Sequence, residues 1–166
     1  MLSPTFLFDT NAIIEAVRTK TWRPLTGSLS IETVIACAEE CGRGDRLSSG
    51  YIRVSEEDLA RVSAMHAVPE EWVAVVLLHP ESSALDEGER DLFAHALARP
   101  ASEDWRLCSP DRASVRFAVA AGVSDQLVSL EEVLQATDAR PTERIRNHFT
   151  HDWLVGERTK AKLGLR

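Results

Sequence analysis

Apolar and polar positions along this chain switch repeatedly between two periods. Thr5-Phe6-Leu7-Phe8 is a short β-branched and apolar run that ends on Asp9. A run of that length bounded by polar residues fits a strand buried on both faces, and such strands belong to parallel sheets covered by helices. A helical pattern begins at once, with Ala12, Ile13, Ile14, Ala16 and Val17 apolar. The succession then recurs. Residues 28–31 predict a short strand and 32–41 a helix, with Val34, Cys37, Ala38 and Cys41 on one stripe. Residues 51–54 predict a strand. Ser55 then caps a helix to about Met65, and Pro69 opens another through Leu77. Residues 88–98 predict a helix, 105–108 a strand, 111–121 a helix closed by Gly122, and 126–128 a last strand before a helix capped by Ser129. Residues 19–26 and 79–87 read as connections. From Pro141 the chain reads as a helical extension carrying Ile145, Phe149, Trp153 and Leu154. Strands alternating with helices predict an α/β fold with a mostly parallel sheet.

Composition narrows the class. The chain has 166 residues, 44% hydrophobic and 27% charged, enough for one domain with a sizeable core. No apolar run approaches the ~20 residues of a membrane span. Met1-Leu2-Ser3-Pro4 lacks the basic start and apolar core of a signal peptide, so a cytoplasmic protein without a membrane partner is expected. Cys37, Cys41 and Cys108 have no zinc-type spacing and are expected to be reduced thiols. Net charge is -7, but it is uneven. From Arg140 to Arg166 seven Lys/Arg face three Asp/Glu, a balance of +4, which leaves -11 for the rest. An acidic body suits cations, and a basic tail suits either a polyanion or plain solvation.

The acids fall at informative places. Asp9 ends the first strand, and in open parallel sheets ligands gather at the carboxyl ends of strands. Glu89, Leu92, Phe93 and Ala96 are spaced i, i+3, i+4, i+7, which puts Glu89 on the buried stripe of its helix. Asp111 follows the 105–108 strand and the turn Ser109-Pro110. Glu39 and Glu40 end the second helix, and spacing alone does not decide which points inward. Each acid taken singly reads as a helix cap or a first-turn charge. Taken together they share one sheet edge. Two carboxylates ~4 Å apart repel by about 4 kcal/mol at an effective dielectric near 20. Mg²⁺ or Mn²⁺ is the natural compensator for hard oxygen ligands, and such a site can activate water for phosphodiester hydrolysis. No phosphate-binding glycine loop and no nucleophile elbow is present. His148 and His151 stand at i, i+3 without an evident third ligand.

The order and spacing of these acids resemble the PIN-domain family, ribonucleases that include the VapC-type toxins of bacterial toxin–antitoxin pairs. Phe6-Leu7-Phe8-Asp9-Thr10-Asn11 resembles the opening strand and its Asp-Thr-Asn. The stretch 33–39 resembles the helix that supplies the second acid. Leu85-Asp86-Glu87-Gly88-Glu89 is similar to the Gly-Glu form of the third, and Leu107-Cys108-Ser109-Pro110-Asp111 to the fourth. The resemblance implies a three-layer α/β/α sandwich over residues 1–138; residues 139–166, outside the match, read as a basic helical extension packed on the same domain. It implies that Asp9, Glu39, Glu89 and Asp111 hold one or two Mg²⁺ (or Mn²⁺) ions, with Glu40 as the alternative second acid. Asn11 would orient Asp9 or a water on the metal, and Ser109 would line the site. The implied reaction is metal-dependent hydrolysis of single-stranded or structured RNA. The implied partners are a small antitoxin and a second copy of the chain. A PIN-like module that binds RNA or protein without cleaving is the other reading of the same features.

Overall fold

The structure is a computed structural model that describes residues 3–44 and 49–166. Met1, Leu2 and residues 45–48, which fall in the N-terminal segment and after the second predicted helix, lie outside the described residues. Four strands are β1 (Thr5–Phe8), β2 (Ile31–Val34), β3 (Ala64–His66) and β4 (Trp105–Cys108). They form one sheet in the order β3-β2-β1-β4, every neighbouring pair parallel. The order reverses at β1. The next strand in sequence lies on one side of it and β4 on the other, so a switch point opens between β1 and β4.

Side-chain alternation along β1 shows why the strand is apolar throughout. Phe6 and Phe8 face one core, with Ala12, Ile13 and Ala16 of α1 (Thr10–Arg18) and Leu130 and Val133 of α8 (Leu130–Gln135). Leu7 faces a second core with Leu92 and Phe93 of α6 (Glu87–Leu97), Phe117 and Ala118 of α7 (Arg112–Ala120) and Leu154 of α9 (His151–Lys162). Helices therefore cover both faces of the sheet, an arrangement compatible with a three-layer sandwich. Among the described residues no helix is long and apolar enough to cross a membrane. All three cysteines are free and buried.

Several predicted elements move, each for a physical reason. The second strand is 31–34 rather than 28–31, and its helix, α3 (Ile35–Cys41), starts three residues late. Glu32 reads as a helix opener, but in the sheet it pairs with Arg99 at 2.9 Å and hydrogen-bonds His66 at 2.7 Å. The expected strand at 51–54 is irregular. After the single-turn helix α4 (Glu56–Leu59) the third strand forms at Ala64–His66, where a helix was predicted. Its ladder to β2 overrides the weak strand preference of Ala, Met and His. Residues 19–26 are not a plain connection. Trp22–Ser28 forms α2, with Pro24 in a first turn that needs no amide donor. Residues 79–87 contain a 3₁₀ turn at Pro80–Ala84. The strand expected at 126–128 shrinks to one bridge, Leu107 to Leu127, pinched between a 3₁₀ turn and the Ser129 cap. Pro69 caps α5 (Glu70–Leu77), as read from the sequence.

The C-terminal segment departs most. Residues 140–146 form no helix but an extended strap along α1. The Thr142 amide donates to the Thr19 carbonyl (3.0 Å), and Arg18 donates to the Arg144 carbonyl (2.8 Å). The Arg146 amide donates to Glu15 Oε1 (2.9 Å). Glu15 is fully buried. Burial alone would raise its pKa, but the Arg18 hydrogen bond and the Arg146 amide hold it below the usual carboxylate range. Removing one member of a buried pair leaves an uncompensated charge and costs about 3–5 kcal/mol. Glu15→Ala is accordingly expected to lose about 3 kcal/mol in urea unfolding and to expose residues 140–146 to limited proteolysis. A loss below about 1 kcal/mol with an unchanged digestion pattern would show that the strap is held by other contacts.

Candidate metal centre

The β1–β4 ladder continues one residue past the strands, with the Asp9 amide donating to the Cys108 carbonyl at 3.1 Å. Asp9 and Ser109 thus stand side by side at the switch point. Thr33 Oγ1 donates to the Phe8 carbonyl (2.8 Å) and fixes the end of β1 from the β2 side. Asp9 then N-caps α1, its Oδ1 accepting from the Ala12 amide at 2.7 Å. Ser109 Oγ donates to Oδ2 at 2.8 Å and lies 2.9 Å from the buried Ser114 hydroxyl. Asp9 is only 3% exposed. Burial, helped by the charges of Asp86 and Asp111, pushes its carboxyl up to about 7 against the opposing pull of the two hydrogen bonds.

Glu89 occupies the buried stripe of α6, as its spacing predicts, and is 7% exposed. It is also half of a capping box. Asp86 Oδ1 accepts from the Glu89 amide (2.8 Å), and Glu89 Oε2 accepts from the Asp86 amide (3.1 Å). Burial first, then the charges of Asp111, Asp86 and Asp9, raise the Glu89 carboxyl to about 8. Asp111 N-caps α7 with Oδ1 on the Ala113 amide at 2.7 Å. The cap reading and the inward reading of these acids hold together. One oxygen satisfies a helix end while the carboxylate faces its neighbours.

Helix phase separates the two candidates for the second acid. Ala36, Cys37, Ala38 and Cys41 are buried, which turns Ile35, Glu39 and Arg43 outward. Glu39 pairs with Arg43 at 3.3 Å on the surface, away from the other acids. Glu40 accepts from Thr10 Oγ1 at 2.8 Å, one residue beyond Asp9. A Cβ on Gly88 would come within 3.1 and 3.3 Å of the Glu40 carboxylate oxygens, so this glycine admits Glu40 against the start of α6, one residue before Glu89. The structure therefore brings Asp9, Glu89 and Asp111 within electrostatic reach of one another, sets Ser109 on Asp9, holds Glu40 on Thr10 and against Gly88, and leaves Glu39 on the surface with Arg43. Asn11 is exposed in the first turn of α1. Sequence reasoning missed Thr10 and Asp86 as positioning groups, and the Asp-x-x-Glu capping pattern at 86–89 could have identified Asp86. His148 and His151 do not converge. His148 packs on Phe149 and His151 pairs with Glu132 at 3.2 Å.

These acids fit a hydrated hard cation better than a closed shell of protein ligands. Among the described residues, the trio of ligand atoms within 4.8 Å of one another is Glu32, His66 and His95, on the other half of the sheet. Mg²⁺ dehydrates reluctantly and usually keeps several waters, so a looser ring of carboxylates suits it. The Glu32 trio is already occupied by a cation of the protein. Arg99 Nη1 lies 2.9 Å from Glu32 Oε2 and 3.0 Å from His95 Nε2. Burial and the neighbouring His66 and Arg99 lower His95 to about 4, so its ring is neutral at pH 7 and accepts from Arg99. Comparisons with protein-family models, with curated proteins and with solved structures found no match to this chain.

The raised carboxyls have a sign-definite consequence. Asp9 and Glu89 bind protons more tightly in the fold than at their ordinary values of 3.8 and 4.5. Their contribution to stability is complete below those values and is lost as pH rises through about 7 and 8. The metal-free protein is expected to lose thermal stability between about pH 5 and pH 8. Asp9→Asn, which keeps an oxygen for the Ala12 amide, is expected to flatten that slope and raise Tm at pH 8 by ~5 °C or more, each kcal/mol being worth about 2–4 °C at this size. A variant less stable than the parent at pH 8 would contradict like-charge crowding at Asp9.

Proposed function

We propose that this protein is a PIN-like endoribonuclease that depends on Mg²⁺ or Mn²⁺ and hydrolyses phosphodiester bonds of single-stranded RNA. The observation that carries the reading is the meeting of Asp9, Glu89 and Asp111 at the β1/β4 switch point, with Glu40 held by Thr10 next to Asp9 in sequence. The sequence resemblance of the same stretches to PIN domains supports it. The toxin of a toxin–antitoxin pair is the setting that resemblance suggests.

In this reading the four carboxylates hold the ion, with Glu40 in place of Glu39. A divalent cation there supplies a water of lowered pKa and neutralises charge on the phosphate under attack. The chain's own groups do the positioning. Ser109, backed by Ser114, fixes the rotamer of Asp9. Thr10 fixes Glu40. Asp86 caps α6 and so sets the height of Glu89 above the sheet. Asn11, exposed beside Asp9, is placed to meet substrate. Burial of Asp9 and Glu89 keeps competing monovalent counter-ions and bulk water away from two of the ligands.

The test is cleavage of single-stranded RNA by the purified full chain with Mg²⁺ or Mn²⁺ and with chelator. Asp9→Asn is expected to lower the rate by more than about 100-fold and Ser109→Ala by about 10–100-fold, the range for a group that orients a metal ligand. Equal cleavage by the parent and Asp9→Asn would rule this site out. Metal-dependent RNA binding without cleavage would favour the non-catalytic module.

A further inference from the structure

The strap at 140–149 carries positive charge to the rim of the acid site. It runs antiparallel to α1, meeting Thr19 at residue 142, Arg18 at residue 144 and Glu15 at residue 146. Glu15 lies one helical turn from Asn11, so each step of the strap approaches the end of α1 that Asp9 caps. It arrives there. His148 and Phe149 line the same small cleft as Ser109 and Pro110, the turn that leads into Asp111. Asp111 and Glu15 are both among the charges felt by His148.

The cations on this path are accessible. The Arg144 side chain is exposed, and only its carbonyl is used to hold Arg18. The Arg146 side chain is 47% exposed, with its amide pinned to Glu15 and its Nε 3.5 Å from Glu15 Oε2, which leaves the outer edge of the guanidinium to solvent. Arg112, the residue after Asp111, is 65% exposed and makes a 3.3 Å surface pair with Glu157 of α9. Two exposed or half-exposed guanidiniums therefore lie along the strap and a third directly follows Asp111, on a chain of net charge -7. Exposed guanidiniums on the approach to an acid cluster offset the field that a phosphate backbone would otherwise meet there.

We infer that Arg112, Arg144 and Arg146 form the track for the RNA backbone, holding phosphates that flank the one presented to the four acids. The inference rests on the ribonuclease reading and assigns the strap its part in it. Guanidiniums suit the role because each presents a planar fork to phosphate oxygens. Contacts of this kind bind without regard to sequence, so the strap sets affinity and direction rather than base preference.

The experiment is fluorescence anisotropy of a labelled single-stranded RNA of mixed sequence, titrated with the full chain carrying Asp9→Asn in Mg²⁺ over a series of salt concentrations. Each phosphate neutralised on a single strand contributes about 0.7 to the slope of log K against log salt. Changing Arg112, Arg144 and Arg146 to Gln is expected to flatten that slope by about 2 and raise Kd at least ~tenfold at ~0.1 M salt. Lysine at the same three positions is expected to keep the slope. The double change Arg112→Gln and Arg144→Gln leaves the Glu15 clamp untouched and is expected to flatten the slope by about 1.4. An unchanged Kd and slope in both Gln variants overturns the strap while metal-dependent cleavage by the parent still stands. Weakened RNA binding beside a parent that never cleaves upholds the strap and overturns the nuclease. RNA that does not bind the parent at all overturns both.

Discussion

Asp9 ends the central strand at the point where the sheet changes direction, and β4 brings the turn to Asp111 alongside it. Two carboxylates ~4 Å apart repel by about 4 kcal/mol even at an effective dielectric near 20, and burial removes the water that would soften this. The fold answers with helix ends. α1, α6 and α7 all begin at this edge, capped by Asp9, Asp86 and Asp111. The partial positive charge of each N-terminus offsets part of the negative charge gathered there. Burial first, and the like charges after it, keep the Asp9 and Glu89 carboxyls well above their ordinary range.

Other buried acids of the same chain are treated differently. Glu15 is fully buried yet held low by Arg18 and Arg146, and Glu32 is held low by His66 and Arg99. Those two are structural charges with partners built into the fold. One ties the C-terminal strap to α1, and the other lets a charged residue sit in the middle of a sheet. Asp9 and Glu89 instead face Asp111, Asp86 and each other. The chain supplies arginines to two of its buried acids and like charges to two others, and the proposed divalent cation would be the partner for the second pair.

Periodicity made the strongly apolar elements legible. β1, β4 and α6 stand where the pattern puts them, and the i, i+3, i+4, i+7 stripe placed Glu89 correctly on the inner face. Elements that depend on distant partners were not legible. β2 was displaced because Glu32 finds a hydrogen-bond partner 34 positions away in His66 and an ion-pair partner 67 positions away in Arg99. β3 exists because β2 offers it a ladder, and the strap exists because Glu15 and the end of α1 offer it hydrogen-bond partners. The choice between Glu39 and Glu40 turned on the hydrogen bond from Thr10, 30 residues away on α1, which local spacing does not carry.

The most direct measurement is Mn²⁺ binding to the full chain near neutral pH, followed by loss of the free-ion electron paramagnetic resonance signal. It would compare the parent with Glu40→Gln, Glu39→Gln and His66→Ala. A centre built by Asp9, Glu40, Glu89 and Asp111 predicts binding that weakens at least ~tenfold in Glu40→Gln and is unchanged in the other two. Binding lost in His66→Ala or Glu39→Gln but retained in Glu40→Gln, or no binding by the parent, would contradict it.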